Sequence, residues 1–129
     1  MEGFPPAHCR VIASQSSGDH AYVLMDTGSP GRPYLYAANC YRKDGRWFES
    51  GSSNGPGWQL MDDDDEVGTL TCWGDLAPGV DAVRIEFAGT VFETPAKNGA
   101  FLITWWRVPC PDAYPRVVAL WRHGGWRVT

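Results

Sequence analysis

The stretch from Val83 to Trp106 constrains the fold more than any other part of this sequence. Residues 83–88 alternate apolar with mostly polar side chains, which on a strand gives one apolar face and one largely wet face. Ala88-Gly89 then predicts a turn and Val91-Phe92 a second strand. Asn98-Gly99 predicts another tight turn, because both residues tolerate positive φ. We therefore expect a three-stranded antiparallel meander.

Similar short apolar segments, separated by turn signals, recur along the chain, which has 15 Gly and 10 Pro in 129 residues. Asp44-Gly45 predicts a hairpin. Ser50–Gly57 has the composition of a loop. Asp62–Glu66 is an acidic run that we expect to stay solvated. The prolines of Pro109–Pro115 exclude regular structure in that segment. We expect about ten short strands and no helix, forming an all-β, single-domain antiparallel β-sandwich over residues 1–129, with a barrel as the alternative.

The charge balance argues against two classes of partner. The net charge of −4 provides no basic field that would attract nucleic acid or an anionic membrane. Residues 1–13 lack the basic and apolar regions of a signal peptide, and no apolar run is long enough to span a bilayer. We therefore expect a cytoplasmic protein that binds neither nucleic acid nor membrane.

The four cysteines, Cys9, Cys40, Cys72 and Cys110, include no C-x-x-C pair, so a structural zinc site is not predicted. We expect buried free thiols; a disulfide would need an oxidising compartment, and the sequence does not assign its pairing. The acidic run Asp62–Glu66 lacks the glycine and distal glutamate of a calcium loop. No metal or cofactor is therefore expected.

One short motif suggests catalysis. Asp26-Thr27-Gly28-Ser29 follows three apolar residues and resembles the active-site signature of aspartic peptidases. That chemistry needs two aspartates sharing a proton, so the resemblance implies a dimer with one Asp26 from each copy. The family also needs an apolar-apolar-Gly segment followed by a helix; Phe87-Ala88-Gly89 is the nearest match, but strand residues follow it. The alternative interpretation is a turn in which Asp26 accepts backbone N–H bonds.

Tryptophan suggests a binding surface instead. Trp105 and Trp106 are adjacent, so on a strand they face opposite sides. One can lie in the core. The other is covered by a loop, for which Pro109–Pro115 is the candidate, by a partner, where Trp often acts as an anchor, or by nothing. His8, His20 and His123 are far apart in sequence and fit no nucleophilic motif.

The C-terminal half, residues 67–128, resembles a module of uncharacterised bacterial proteins, mainly of actinobacterial type. The shared residues form turns, core and strand ends: Val83-Arg84, Phe87, Gly89, Pro95, Asn98-Gly99, Phe101-Leu102, Trp105-Trp106 and Arg116-Val117-Val118-Ala119. The resemblance implies a β-sandwich and brings no known activity or site residues.

Taken together, these patterns favour a non-enzymatic binding or interaction module. Its acidic charge and the lack of a catalytic constellation suit a protein partner, as in a toxin-neutralising immunity protein, with Trp105 and Trp106 as the candidate binding residues. The second hypothesis is a dimeric, aspartic-peptidase-like hydrolase that uses Asp26, and the third is a structural accessory domain.

Overall fold

The structure is a computed structural model that describes residues 10–28, 34–54, 57–62, 67–109 and 114–129, and it contains no helix within these ranges. The strands are β1 (Arg10–Ser17), β2 (His20–Asp26), β3 (Leu35–Lys43), β4 (Arg46–Asn54), β5 (Gly57–Asp62), β6 (Val67–Asp75), β7 (Val80–Phe87), β8 (Thr90–Pro95), β9 (Ala100–Pro109), β10 (Arg116–Arg122) and β11 (Gly125–Val128). The predicted all-β sandwich is confirmed. No helix of the described residues has the length and apolarity needed to cross a bilayer.

These strands form three antiparallel sheets. The N-terminal sheet has the order β1-β2-β3-β4, the central sheet β5-β6-β9, and the C-terminal sheet β11-β10-β7-β8. Two predicted tight turns connect strands as expected: Asp44-Gly45 joins β3 to β4, and Ala88-Gly89 joins β7 to β8. All four residues have positive φ, between 52° and 77°, which matches the right-handed twist of the paired strands.

The central sheet is covered on both faces, and β6 shows this most clearly. Its burial is continuous from Gly68 to Gly74, whereas a strand with one wet face would alternate. Leu70 and Cys72 pack with β7 of the C-terminal sheet. Trp73 points the other way and packs with β2 and β3 of the N-terminal sheet. The fold therefore has two core interfaces, one on each side of β6.

The predicted meander is wrong in its third strand. β8 pairs with β7, but β9 leaves that sheet and pairs with β6 over most of its length, from Ala100 opposite Asp75 to Pro109 opposite Val67. The reason is burial: β9 carries apolar side chains on both faces, and the central sheet packs against a core on each of its two faces, so both sets are covered there.

The predicted loop at Ser50–Gly57 is also wrong within the described residues. β4 continues to Asn54, and β5 begins at Gly57, which raises the number of described strands to eleven. The polar composition arises because this part of β4 is an edge strand paired with β3 alone. Of the acidic run, residues 63–66 lie outside the described residues. Pro109 is the last residue of β9, and residues 110–113 are not described.

Candidate functional site

The two core interfaces differ at one end, where the interface between the N-terminal and central sheets opens into a cleft of about 660 Å³. We call it the aromatic cleft. It is lined by Ser17, Gly18, Asp19, His20, Tyr22, Asn39, Tyr41, Ser50, Thr69, Trp106 and Arg107. Its volume lies within the usual range of about 300–1,000 Å³ for ligand pockets.

One wall of the cleft is built by strand register in the N-terminal sheet. Tyr22 lies directly opposite Asn39, and His20 lies opposite Tyr41. Tyr41 is in turn opposite Phe48 on β4, and their rings stack with centroids 5.5 Å apart. Because side chains on directly paired residues share a face, these groups form a continuous surface from the buried sheet to its exposed end.

The other wall is built by a β-bulge in β9. The register with β6 shifts between Gly68 and Leu70, so that Trp106 and Arg107 together oppose Thr69. Arg107 has φ +47°, rare for a residue with a side chain, and its N–H donates to Thr69 Oγ1 over 3.4 Å. In a regular strand residues 106 and 107 would face opposite sides. The bulge allows both to line the cleft, with the Trp106 ring 6.0 Å from that of Tyr22.

A buried amide lies at the base of this surface. Asn39 is only 9% exposed, and its backbone carbonyl accepts a hydrogen bond from Ser50 Oγ at 3.2 Å. Its side-chain amide has no hydrogen-bond partner among the described residues. Buried side-chain amides are nearly always hydrogen-bonded, so a group of this kind on the wall of a cavity is a candidate ligand contact.

Beside the cleft, the β3–β4 hairpin extends beyond the core. Every residue from Tyr41 to Ser50 is exposed, and we call this segment the hairpin tip. Trp47 is 48% exposed and Phe48 40%. The Arg42 guanidinium lies 5.4 Å from the Trp47 ring centroid, and that of Arg46 lies 5.8 Å from the Phe48 ring centroid. Asp19 forms an ion pair with Arg42 at 3.0 Å, which connects the tip to the β1–β2 turn.

The structure separates the two candidate tryptophans. Trp105 is 8% exposed and packs against Phe87 and Phe92, with ring centroids 4.7 Å and 5.4 Å away. Trp106 is partly buried and lines the aromatic cleft. The two therefore lie on opposite sides of β9, as their adjacency predicts. A binding role for either one stays a prediction.

Asp26 has the contacts expected of a turn residue. Its carboxylate Oδ1 accepts the N–H of Gly28 at 2.9 Å and the N–H of Tyr34 at 3.0 Å. Ser29 lies outside the described residues, and Ala88-Gly89 is a hairpin turn followed by β8. The turn interpretation fits these contacts. The peptidase interpretation concerns two copies of the chain and stays a prediction.

Two of the four cysteines are described, and both are free: Cys72 is buried and Cys40 partly buried. Burial raises the pKa of the Cys72 thiol to about 12. Burial, and next the negative charge of Glu49, raise the pKa of Cys40 as well. Neither is therefore an activated thiolate at neutral pH. Cys9 and Cys110 lie outside the described residues.

The remaining candidates for chemistry do not come together. His20 lines the aromatic cleft, His123 has φ +54° in the β10–β11 turn, and His8 is not described. Within the described ranges, no three His, Cys, Asp or Glu side chains form a group that could hold a metal ion.

Sequence reasoning missed the aromatic cleft and the hairpin tip. A signal for the tip was present, since Tyr41, Trp47 and Phe48 flank the Asp44-Gly45 turn closely enough to be paired across a hairpin. The cleft had no local signal, because its walls come from distant strands. A scan of protein-family models and searches of curated proteins and of solved structures find no match to this chain.

Proposed function

We propose that the protein is a non-enzymatic binding module that recognises another protein through its hairpin tip. One observation carries this proposal: an unbroken exposed segment, Tyr41–Ser50, concentrates aromatic rings and guanidinium groups at the end of a sheet. Trp, Tyr and Arg are the residues that most often dominate the binding energy of protein interfaces.

The tip residues contribute little to the described core. Trp47 and Phe48 belong to none of the buried clusters, although both are large and apolar. Exposing such rings in water is unfavourable, and covering an aromatic side chain gains about 1.5–3 kcal/mol. A partner that covers the tip would recover this free energy, which the described core clusters do not.

The charge of the tip suggests the partner's chemistry. Arg42, Lys43 and Arg46 outnumber Asp44 and Glu49 in a chain whose net charge is −4. An apolar patch bordered by carboxylates would complement this surface, because charges around an interface guide association and orientation. A toxin neutralised by an immunity protein would be one such partner.

The experiment is a selection from a displayed library of genomic fragments of the source organism, with the purified protein as bait. The affinity of each enriched fragment is then measured for the wild type and for Trp47→Ala and Phe48→Ala. Val91→Ala and Tyr114→Ala serve as controls, because both positions are exposed and lie outside the tip, on β8 and before β10.

We expect each tip substitution to weaken binding at least about tenfold and each control to change it less than about twofold. Enriched fragments that bind the tip variants as tightly as the wild type would contradict the proposal. A selection that enriches no fragment would contradict it too.

A further inference from the structure

The side-chain amide of Asn39 belongs to a feature that a protein partner at the hairpin tip does not explain. The residue is more than nine-tenths buried, lines the aromatic cleft, and has no amide hydrogen bond among the described residues. The amide is therefore available to a ligand or to water in the cleft. It can donate and accept in one plane, and so suits a ligand that offers both kinds of group side by side.

The groups around Asn39 restrict the ligand further. Ser50 and Thr69 add hydroxyl groups, and Trp106 and Tyr41 supply ring surfaces that are not fully covered. The face of an aromatic ring carries partial negative charge, so it attracts the polarised C–H groups of a flat apolar surface. A pyranose ring has an apolar C–H face together with edges of neighbouring hydroxyl groups.

Charge and shape agree with a neutral, compact ligand. The lining carries one carboxylate, Asp19, and one guanidinium, Arg107, so their formal charges cancel, and Asp19 is in addition paired with Arg42 at 3.0 Å. The inner end of the cleft is closed where Tyr22 and Trp106 join the core cluster that contains Leu24 and Trp73. A site closed at one end accommodates a short ligand better than a peptide that must pass through it.

From these contacts we propose that the aromatic cleft binds a neutral oligosaccharide, with Asn39 hydrogen-bonding two neighbouring hydroxyl groups and Trp106 or Tyr41 stacking on a sugar face. The cleft shares Tyr41 and Ser50 with the hairpin tip but not Trp47 or Phe48, and the proposal does not depend on the protein partner.

The experiment is an NMR titration of the full chain with cellotriose, maltotriose and triacetylchitotriose, each to about 10 mM. A proline-rich decapeptide is titrated in parallel, to detect a peptide ligand instead. The key variant is Asn39→Leu, which removes the amide at similar size. Asn98→Gly is the matched control, because Asn98 lies in a turn with φ +52° that glycine adopts readily.

We expect at least one trisaccharide to shift the backbone signals of Asn39 and Tyr41 and the indole signal of Trp106 in a saturable way. Asn39→Leu should weaken that binding at least tenfold and change the melting temperature little, because the bond from Ser50 is to the backbone carbonyl of residue 39, which the substitution keeps. Asn98→Gly should bind as the wild type does.

Three results would overturn the proposal. The first is that no trisaccharide shifts these signals, the second is that the shifts lie elsewhere in the protein, and the third is that only the decapeptide binds in the cleft. The wild-type titration decides the matter even if Asn39→Leu fails to fold. Whether Trp47→Ala weakens binding of the selected protein fragments is measured in a separate experiment, and its result tests only the proposed partner of the hairpin tip.

Discussion

The two faces of the central sheet differ in how completely the neighbouring sheets close over them. Towards the C-terminal sheet, Leu70, Val83, Ile85 and Trp105 form a closed core, which we call the closed interface. Towards the N-terminal sheet, the core around Leu24 and Trp73 gives way to the aromatic cleft and then to the hairpin tip. We call this side the open interface.

The difference arises from the lengths of the covering strands and from one bulge. The end of β3 and the start of β4 continue past the part of the N-terminal sheet that packs on β6, so these residues have no layer beneath them. The bulge at Trp106-Arg107 then directs two consecutive side chains towards the space this leaves. The closed interface has neither feature at Trp105, whose ring is enclosed by Phe87 and Phe92.

The largest expected effect comes from truncating the adjacent tryptophans one at a time. Trp105→Ala should lower the free energy of unfolding by about 3–5 kcal/mol, because it leaves a cavity in a closed core. Trp106→Ala should cost about 1–2 kcal/mol, because its ring is only partly buried. Urea denaturation of the two variants measures both values. Equal losses would show that the two interfaces are packed alike.

A second pair of substitutions adds a methyl group to each interface. In the closed interface, a Cβ at Gly74 would lie 2.8 Å from the Phe101 ring, so Gly74→Ala should cost about 1–3 kcal/mol. In the open interface, a Cβ at Gly51 would meet Gln59 Nε2 at an ordinary 3.7 Å, and Gly51→Ala should change stability by less than about 0.5 kcal/mol. Thermal denaturation followed by circular dichroism compares them. A tolerated Gly74→Ala would mean that the closed interface is loosely packed.

The third effect depends on pH and concerns Cys72, which lies in the closed interface. Its pKa is raised from 9.0 to about 12 in the fold, so the folded state favours the neutral thiol. The resulting stability is fully present below pH 9 and is lost as the pH rises towards 12, by at most about 1.4 kcal/mol per pH unit.

Between pH 8 and about 10.5, the free energy of unfolding should therefore fall more steeply for the wild type than for Cys72→Val. Cys40→Val is the control, because Cys40 is only partly buried, on the outer side of the N-terminal sheet. It should change the dependence of the unfolding free energy on pH less than Cys72→Val does. Identical slopes for the wild type and Cys72→Val would show that water reaches this thiol.

Local sequence patterns predicted most strands, because the signals for a strand or a tight turn lie in a few neighbouring residues. The alternation at Val83–Phe87 and the positive-φ turn at Asp44-Gly45 each depend on a few consecutive residues, and both were identified from the sequence. The polar segment Ser50–Asn54 was misassigned, because an edge strand with little core beneath it has the composition of a loop.

The aromatic cleft was not predictable from the sequence, because it is formed by strands that lie far apart in sequence. The cleft requires β9 to pair with β6, although β8 is closer in sequence, and nothing in the local pattern distinguishes these two partners. The bulge that directs Trp106 and Arg107 to the same cavity depends on register against Thr69. The sequence did indicate that Trp105 and Trp106 face opposite ways, but it did not indicate which of them is enclosed.

Amide hydrogen exchange tests the contrast between the interfaces most directly. The amides of β6, which lies between two packed layers, and of β7, which is paired with a strand on each side, should exchange only through global unfolding. Those of Tyr41–Ser50 should exchange through local opening. We predict that the paired amides of the hairpin tip exchange on the order of 100-fold faster than those of β6, after correction for intrinsic rates. Equal protection in the two segments would contradict the account, because it would mean that the tip is held as firmly as the core.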